Sequence, residues 1–126
     1  MKYLFDAYAW VAYLEGGKDG EKINAIIKSN NEIYTLPTTI TEVISKIKRL
    51  NGNTETAYMA LIKNSRIADI TPKLAKEAGI LHAESRKDIP NISMADTLLI
   101  VSAKAMNAKV LTGDPHFKHF KEAILL

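Results

Sequence analysis

The sequence has no cysteine among its 126 residues, so neither a disulfide bond nor a thiolate metal site can contribute to its structure. A chain without cysteine is compatible with the reducing cytoplasm, where we expect this protein to act. No apolar run approaches the roughly 20 residues that a membrane-spanning helix needs, so we expect no membrane partner. Asp6 interrupts the short apolar stretch at the N-terminus, and we therefore predict no signal peptide there.

The sequence also lacks a strong excess of either charge. It has 17 lysines and arginines against 14 aspartates and glutamates, which gives a net charge of +3. This mild excess is compatible with a polyanionic partner but does not predict one by itself. The length, the ordinary apolar content and the absence of a linker, a repeat or a low-complexity tract favour a single domain over residues 1–126.

Short apolar segments alternate with segments of helical periodicity along the chain. Apolar residues recur at helical spacing over residues 7–14, 23–27, 40–50, 57–62, 74–82 and 94–106. The segment GGKDG is predicted to be a turn. Strands are predicted in KYLFDA, EIYTLP, RIADITP, AKVLTGD and EAILL. This alternation predicts an α/β fold, with a central, mainly parallel sheet flanked by helices.

Four acidic residues fall where predicted strands end or predicted helices begin. Asp6 ends the first strand, Glu42 opens the helix after the second strand, Asp96 opens the near-apolar helix, and Asp114 follows the fourth strand. The carboxyl ends of parallel strands meet at one edge of the sheet, where ligands bind in such folds. We therefore expect all four acids at that edge.

Each acid also has a local structural explanation, as a helix cap or a turn residue. These are an N-cap at Asp6, capping boxes at Thr39 with Glu42 and at Ser93 with Asp96, and a turn at Asp114. Together, however, four like charges would repel one another and raise each other's pKa values unless a cation neutralised them. Carboxylates are ligands that Mg²⁺ and Mn²⁺ prefer. The set therefore predicts a divalent metal site.

With these acids in place, the sequence resembles the PIN domain, a family of metal-dependent ribonucleases, and most closely its small single-domain toxins of the VapC type. The most specific block is LTGDPHF, with Thr112, Asp114 and Phe117 at the spacing of the family pattern. The family usually has threonine or serine after its first acid, where this chain has Ala7. The other three acids of the family correspond to Asp6 in YLFDAYAW, Glu42 in TITEV and Asp96 in MADTLLIVSA.

The resemblance implies hydrolysis of RNA phosphodiester bonds with Mg²⁺ or Mn²⁺, using one ion or two. It implies Asp6, Asp96 and Asp114 as direct ligands. Glu42 would be a ligand or would hold a water near the metal and act as general base. Thr112 would support the acids through a hydrogen bond without adding charge.

The resemblance further implies a small antitoxin partner and a homodimer. Crowded aromatic residues near the N-terminus (Tyr3, Tyr8, Trp10 and Tyr13) also favour a subunit interface. Two alternatives within the family remain. One is a PIN nuclease of RNA processing or decay. The other is a catalytically weak PIN-fold RNA-binding module, which Ala7 would favour.

Five basic residues are candidates for binding an RNA backbone, because phosphate contacts supply most nonspecific affinity. The alternative for each is an ordinary solvated polar face. Three lie on the predicted helix that carries Glu42, and two precede the helix that carries Asp96. They are Lys46, Lys48, Arg49, Arg86 and Lys87.

The histidines and the tryptophan are predicted to be structural. His116 and His119 lie in a short lysine-rich turn without further ligands at a recognisable spacing, so we predict surface histidines rather than a metal site. His82 falls on an apolar helical face and is predicted at the edge of the core. Trp10 lies at helical spacing and is predicted to be in the core, with a subunit interface as the alternative.

Three other α/β functions fit the sequence poorly. A phosphoacceptor receiver domain needs an adjacent acidic pair after the first strand, and only Asp6 is present there. A haloacid-dehalogenase-like phosphatase needs a second aspartate in the position that Tyr8 occupies. Dinucleotide binding needs a glycine-rich loop after a strand, and none follows any predicted strand.

Overall fold

The computed structural model describes residues 1–126 and contains five strands, six α-helices and one 3₁₀ helix. The strands are Lys2–Phe5 (β1), Glu32–Thr35 (β2), Arg66–Ile67 (β3), Lys109–Thr112 (β4) and Ala123–Leu125 (β5). The helices are Ala7–Glu15 (α1), Gly17–Lys28 (α2), Pro37–Arg49 (α3), Thr54–Asn64 (α4), Pro72–Ser85 (α5) and Met94–Met106 (α6), and the 3₁₀ helix is Pro115–His119. None of the helices combines the length and apolar character that crossing a membrane requires.

All five strands are parallel, in the order β3-β2-β1-β4-β5. The central strand β1 pairs with β2 on one side, where Leu4 lies opposite Tyr34, and with β4 on the other, where Leu4 lies opposite Val110. The chain builds outward from β1 in one direction through β3 and then returns to add β4 and β5 in the other direction. This reversal between β1 and β4 is the switch point at which open parallel sheets bind ligands.

The sheet has an apolar core on each face, because successive side chains of a strand point to opposite sides. Phe5 and Leu111 contribute to the core that α1, α2, α3 and α4 cover. Leu4 and Val110 contribute to the core that α5, α6 and the 3₁₀ helix cover. The expected α/β fold with a parallel sheet is confirmed, and both central strands are buried from both sides.

The aromatic residues near the N-terminus pack mainly inside the molecule. Trp10 is fully buried, its ring centroid lies 4.9 Å from that of Phe5 and 5.8 Å from that of Tyr13, and its Nε1 donates a hydrogen bond to Thr35 Oγ1 at 3.0 Å. The prediction of Trp10 as a core residue is confirmed. Because only Tyr8 of this group is exposed, the aromatics do not favour a subunit interface, and the homodimer stays a prediction that rests on the resemblance.

The segment GGKDG is not a turn, and that prediction was wrong. Only Gly16 and Gly17 have the positive φ angles of a chain reversal, +82° and +78°, and α2 already begins at Gly17. Gly20 lies inside α2 for a packing reason. A Cβ atom there would be 2.6 Å from the carbonyl oxygen of Ala12, so the missing side chain lets α2 approach α1 closely.

The predicted capping box of Thr39 with Glu42 is also wrong. Helix α3 begins at Pro37, its N-cap is Leu36, and no side chain caps it. Proline pre-organises the first helical position and thereby starts the helix before Thr39. The Thr39 side chain is fully buried, and Glu42 lies in the second turn rather than at the helix start.

We predict opposite effects of adding a methyl group at two helical glycines. Gly20→Ala should destabilise the protein by about 1–3 kcal/mol, because the new Cβ would clash with the backbone carbonyl of Ala12, which cannot shift without moving α1. Gly79→Ala in α5 should stabilise it by about 0.5–1 kcal/mol through helix propensity, because no atom lies within 4 Å of its Cβ position. Urea unfolding of both variants measures the difference, and equal effects would contradict the close packing of α1 and α2.

Candidate metal centre

Three aspartates lie where helices begin, and each is held there by backbone hydrogen bonds. Asp6 Oδ1 accepts a hydrogen bond from the Ala9 N–H at 2.8 Å at the start of α1. Asp96 Oδ2 accepts one from the Ser93 N–H at 3.1 Å, while Ser93 Oγ accepts one from the Asp96 N–H, so the predicted capping box at α6 is present.

The third aspartate, Asp114, caps the 3₁₀ helix in the same way. Its Oδ1 accepts a hydrogen bond from the His116 N–H at 2.9 Å. In Asp96 and Asp114 the second carboxylate oxygen accepts no hydrogen bond from the protein. Capping therefore orients these carboxylates and leaves an oxygen free to bind a cation, so the cap and ligand interpretations are compatible.

Asp96, Asp114 and His116 form one compact group of potential metal ligands. One ligand atom from each lies within 4.8 Å of the others, and all three side chains are partly exposed. His116, predicted as a surface histidine, is partly exposed and also lies beside two of the acids. His119 is exposed as expected, and His82 lies at the core edge as predicted, with Nε2 3.1 Å from the Ile92 carbonyl oxygen.

Asp6 is the buried member of the acid set, with only 5% of its surface exposed. The pKa of Asp6 is raised from 3.8 to about 7, mainly because burial disfavours the charged form, and the negative charges of Asp96 and Asp114 contribute to this rise. Hydrogen bonds from the Thr112 side chain and the Ala9 N–H oppose this rise in pKa. The three aspartates are thus close enough to interact electrostatically at the switch point.

Thr112 links two of these acids from a fully buried position at the end of β4. Its Oγ1 accepts a hydrogen bond from the Asp114 N–H at 2.9 Å. Its side chain also hydrogen-bonds the carboxylate of Asp6, which favours the ionised form. A threonine at this position therefore orients the site without adding a charge.

Glu42 lies on α3, at the margin of the acid set. Its side chain remains open to solvent, yet partial burial of the carboxylate raises its pKa, and the negative charge of Asp96 raises it further. The charge of Asp96 therefore affects the pKa of Glu42, but Glu42 does not belong to the compact group formed by Asp96, Asp114 and His116.

A groove of about 920 Å³ extends from Glu42 between α1, α2 and α3. Lys46 and Arg49 line it, one and two turns beyond Glu42 on the same helix, and the exposed ring of Tyr8 lines it from α1. The other basic candidates, Lys48, Arg86 and Lys87, are exposed and do not line this groove.

No lysine or arginine compensates the charge of the acid set. The ion pairs within 4.0 Å are Arg66 with Glu32, away from the site, and His116 with Asp114 at 3.5 Å, which is charged only when the imidazole is protonated. An oxygen-rich donor set of this kind, without a basic partner, fits a hard divalent cation such as Mg²⁺ or Mn²⁺.

The pKa of Asp6 predicts how the metal-free protein responds to pH. The unfolded carboxyl ionises near pH 4 and the folded one near pH 7, so wild type loses stability as pH rises between these values. Asp6→Asn keeps an N-cap and removes the charge, and should therefore be more stable than wild type at pH 8, by roughly 2–4 kcal/mol.

Urea unfolding in EDTA at several pH values, with wild type and Asp6→Asn compared at each, tests this prediction. The difference should be near zero at pH 4 and reach its full size above pH 7. A difference that does not change with pH would show that Asp6 ionises at an ordinary pKa.

The chain matches the PIN domain family over residues 3–123. No curated protein matches its sequence significantly. Among solved structures, it is similar to VapBC2 from Rickettsia felis bound to a promoter DNA fragment, with a TM-score of 0.75 and 20% identity, covering 100% of this chain and 98% of the other.

Two further structures are similar to the same extent. VapC20 from Mycobacterium tuberculosis, a toxin that cleaves the sarcin–ricin loop, has a TM-score of 0.75 and 15% identity, covering 94% of this chain and 95% of the other. A toxin–antitoxin complex from Klebsiella pneumoniae has a TM-score of 0.75 and 18% identity, covering 97% and 95%. The sequence match and the shared fold together show that the chain belongs to the PIN domain family.

Proposed function

We propose that the protein is a metal-dependent endoribonuclease that hydrolyses RNA phosphodiester bonds and acts as the toxin of a toxin–antitoxin pair. The observation that carries this proposal is the group of carboxylates at the switch point, which no lysine or arginine neutralises. Membership of the PIN domain family and the likeness to VapC20, described as a cleaving toxin, support it.

Asp6, Asp96 and Asp114 would hold Mg²⁺ or Mn²⁺. When bound, the ion supplies an activated water and neutralises the charge that grows on the phosphate. The capping hydrogen bonds of the three aspartates keep their carboxylates oriented before the ion arrives, which lowers the cost of assembling the site. Thr112 positions Asp6 and Asp114 relative to each other.

Glu42 is the residue that we assign as general base. Its raised pKa brings the carboxylate closer to the range in which it accepts a proton efficiently at neutral pH. It would take the proton of the attacking water while the new bond forms to phosphorus and the bond to the leaving ribose oxygen breaks. Its exposed side chain lines the groove, which supports contact with both water and substrate.

Lys46 and Arg49 are the residues that we assign to the RNA backbone. They line the groove that starts at Glu42, so phosphates flanking the cleaved bond would lie along their side of α3. Lys48, Arg86 and Lys87 lie outside this groove, and a role for them in RNA binding requires a longer contact surface.

We also propose a small antitoxin protein as the physiological partner. The similar structure from Klebsiella pneumoniae is a toxin–antitoxin complex, and that from Rickettsia felis is a VapBC pair. A basic side chain of such a partner would satisfy the same carboxylates that bind the metal. Purification from the native host without a small companion protein would argue against the toxin role while leaving the nuclease activity open.

We predict that Asp96→Asn loses Mn²⁺-dependent RNA cleavage by roughly 100-fold or more, because a neutral amide is a poor ligand for a hard cation and the metal supplies several kcal/mol. The amide oxygen can still accept the Ser93 hydrogen bond, and one repelling charge is gone. The metal-free variant should therefore be as stable as wild type or more stable. Cleavage assays and melting curves measure the two effects.

Asp69→Asn provides the matched control. Asp69 is an exposed aspartate that does not belong to the acid set, and its side chain makes no hydrogen bond. Its cleavage rate and its stabilisation by Mn²⁺ should equal those of wild type. Suppose instead that Asp96→Asn cleaved RNA at the wild-type rate and that its free energy of unfolding decreased slightly. Asp96 would then be no more than a capping residue.

A further inference from the structure

His116 is the one basic side chain in direct contact with the acid set, and the proposed function does not use it. Its Nδ1 lies 3.5 Å from Asp114 Oδ1, and its own backbone N–H caps that same carboxylate at 2.9 Å. The capping hydrogen bond therefore holds both side chains on the same side of the 3₁₀ helix. About 41% of the His116 side chain is exposed, so the ring is accessible from solvent.

The spacing of these groups is close to that of ligands on one ion. Two atoms bound to the same ion at roughly 2.0–2.2 Å lie about 3 Å apart when adjacent and about 4 Å apart when opposite. The ligand atoms of Asp96, Asp114 and His116 lie within 4.8 Å of one another, and the histidine–aspartate separation already falls inside that range. Small rotations of these three side chains would therefore bring their ligand atoms to the spacing of ligands on one ion.

We infer that His116 supplies an imidazole nitrogen to the metal site, so that the site holds a mixed nitrogen and carboxylate ligand set. This inference rests on the proposed metal-dependent function. An imidazole nitrogen is a softer donor than a carboxylate oxygen and favours transition-metal ions over Mg²⁺. The site is accordingly selective for Mn²⁺ over Mg²⁺, and His116 is the residue that determines this preference.

A different role for His116 is a hydrogen bond or an ion pair with Asp114 alone. A nitrogen that binds a metal must be free of its proton, whereas a nitrogen that pairs with Asp114 carries one. The two roles therefore differ in an observable property. Only direct ligation brings a nitrogen nucleus into the coordination shell of the ion.

The direct test is pulsed electron paramagnetic resonance of the full chain loaded with Mn²⁺, which detects the coupling of a ligand ¹⁴N to the manganese spin. Wild type and His119→Ala should show this coupling, and His116→Ala should lose it. His119 is the matched control, because it lies in the same 3₁₀ helix and is exposed. Absence of the coupling in wild type overturns the inference without requiring any variant to fold.

Metal titration by calorimetry adds a second readout. His116→Ala should weaken Mn²⁺ binding roughly 10- to 100-fold and Mg²⁺ binding by less than about 3-fold. Equal losses for both ions would contradict selectivity set by His116. If wild type cleaves RNA with Mn²⁺ but shows no nitrogen coupling, only this inference fails. If wild type binds no Mn²⁺, the proposed function fails with it.

Discussion

The capping of helix N-termini by aspartates is the interaction on which the architecture of the site depends. A helix start needs acceptors for its free N–H groups, and aspartate supplies one. At the start of α1 and at the 3₁₀ helix, that acceptor is a carboxylate. At the start of α6 it is Ser93 Oγ, and the carboxylate of Asp96 accepts the N–H of Ser93 in return. Because the helices after parallel strands begin at one edge of the sheet, this local requirement brings like charges together at the switch point.

The strand order of the sheet determines which of these carboxylates lie close together. Asp6 follows the central strand β1 and Asp114 follows its neighbour β4, so the reversal of strand order places both beside the same gap. Asp96 comes to this gap from the start of α6, which covers the opposite face of the sheet from α1. The result is a charge cluster with contributions from segments far apart in sequence, which the folding of the domain alone assembles.

Holding these charges together costs stability in the metal-free protein. The raised pKa of Asp6 means that the folded protein resists ionising this buried carboxyl, with the charges of Asp96 and Asp114 nearby. Thr112 and the capping N–H groups offset part of the cost by hydrogen-bonding the ionised form. A divalent cation would offset the remainder, so metal affinity and folding stability are coupled at this edge.

Much of this arrangement is readable from the sequence, because strand periodicity and the positions of Asp6, Asp96 and Asp114 at element boundaries follow local rules. The errors concern tertiary contacts. GGKDG looks like a turn, but close packing against α1 explains Gly20. Thr39 looks like a cap, but its side chain is buried.

The position of His116 beside the acids could not be predicted from the sequence. Its proximity to Asp96 depends on how the 3₁₀ helix meets the start of α6, which no local pattern encodes. The shape of the groove was likewise not predictable, since it depends on how α1, α2 and α3 pack together. Lys46 and Arg49 line this groove whereas Lys48 does not, although all three had looked equivalent in the sequence.

The central claim is that the capped aspartates form a binding site for a divalent cation. Crystals grown with MnCl₂ and measured at the manganese absorption edge test it most directly, since anomalous scattering locates the ion without reference to activity. We predict a strong anomalous peak between Asp6, Asp96 and Asp114, within about 2.0–2.4 Å of a carboxylate oxygen of at least two of them. The account would be contradicted if the crystals contained manganese only elsewhere on the surface, or none.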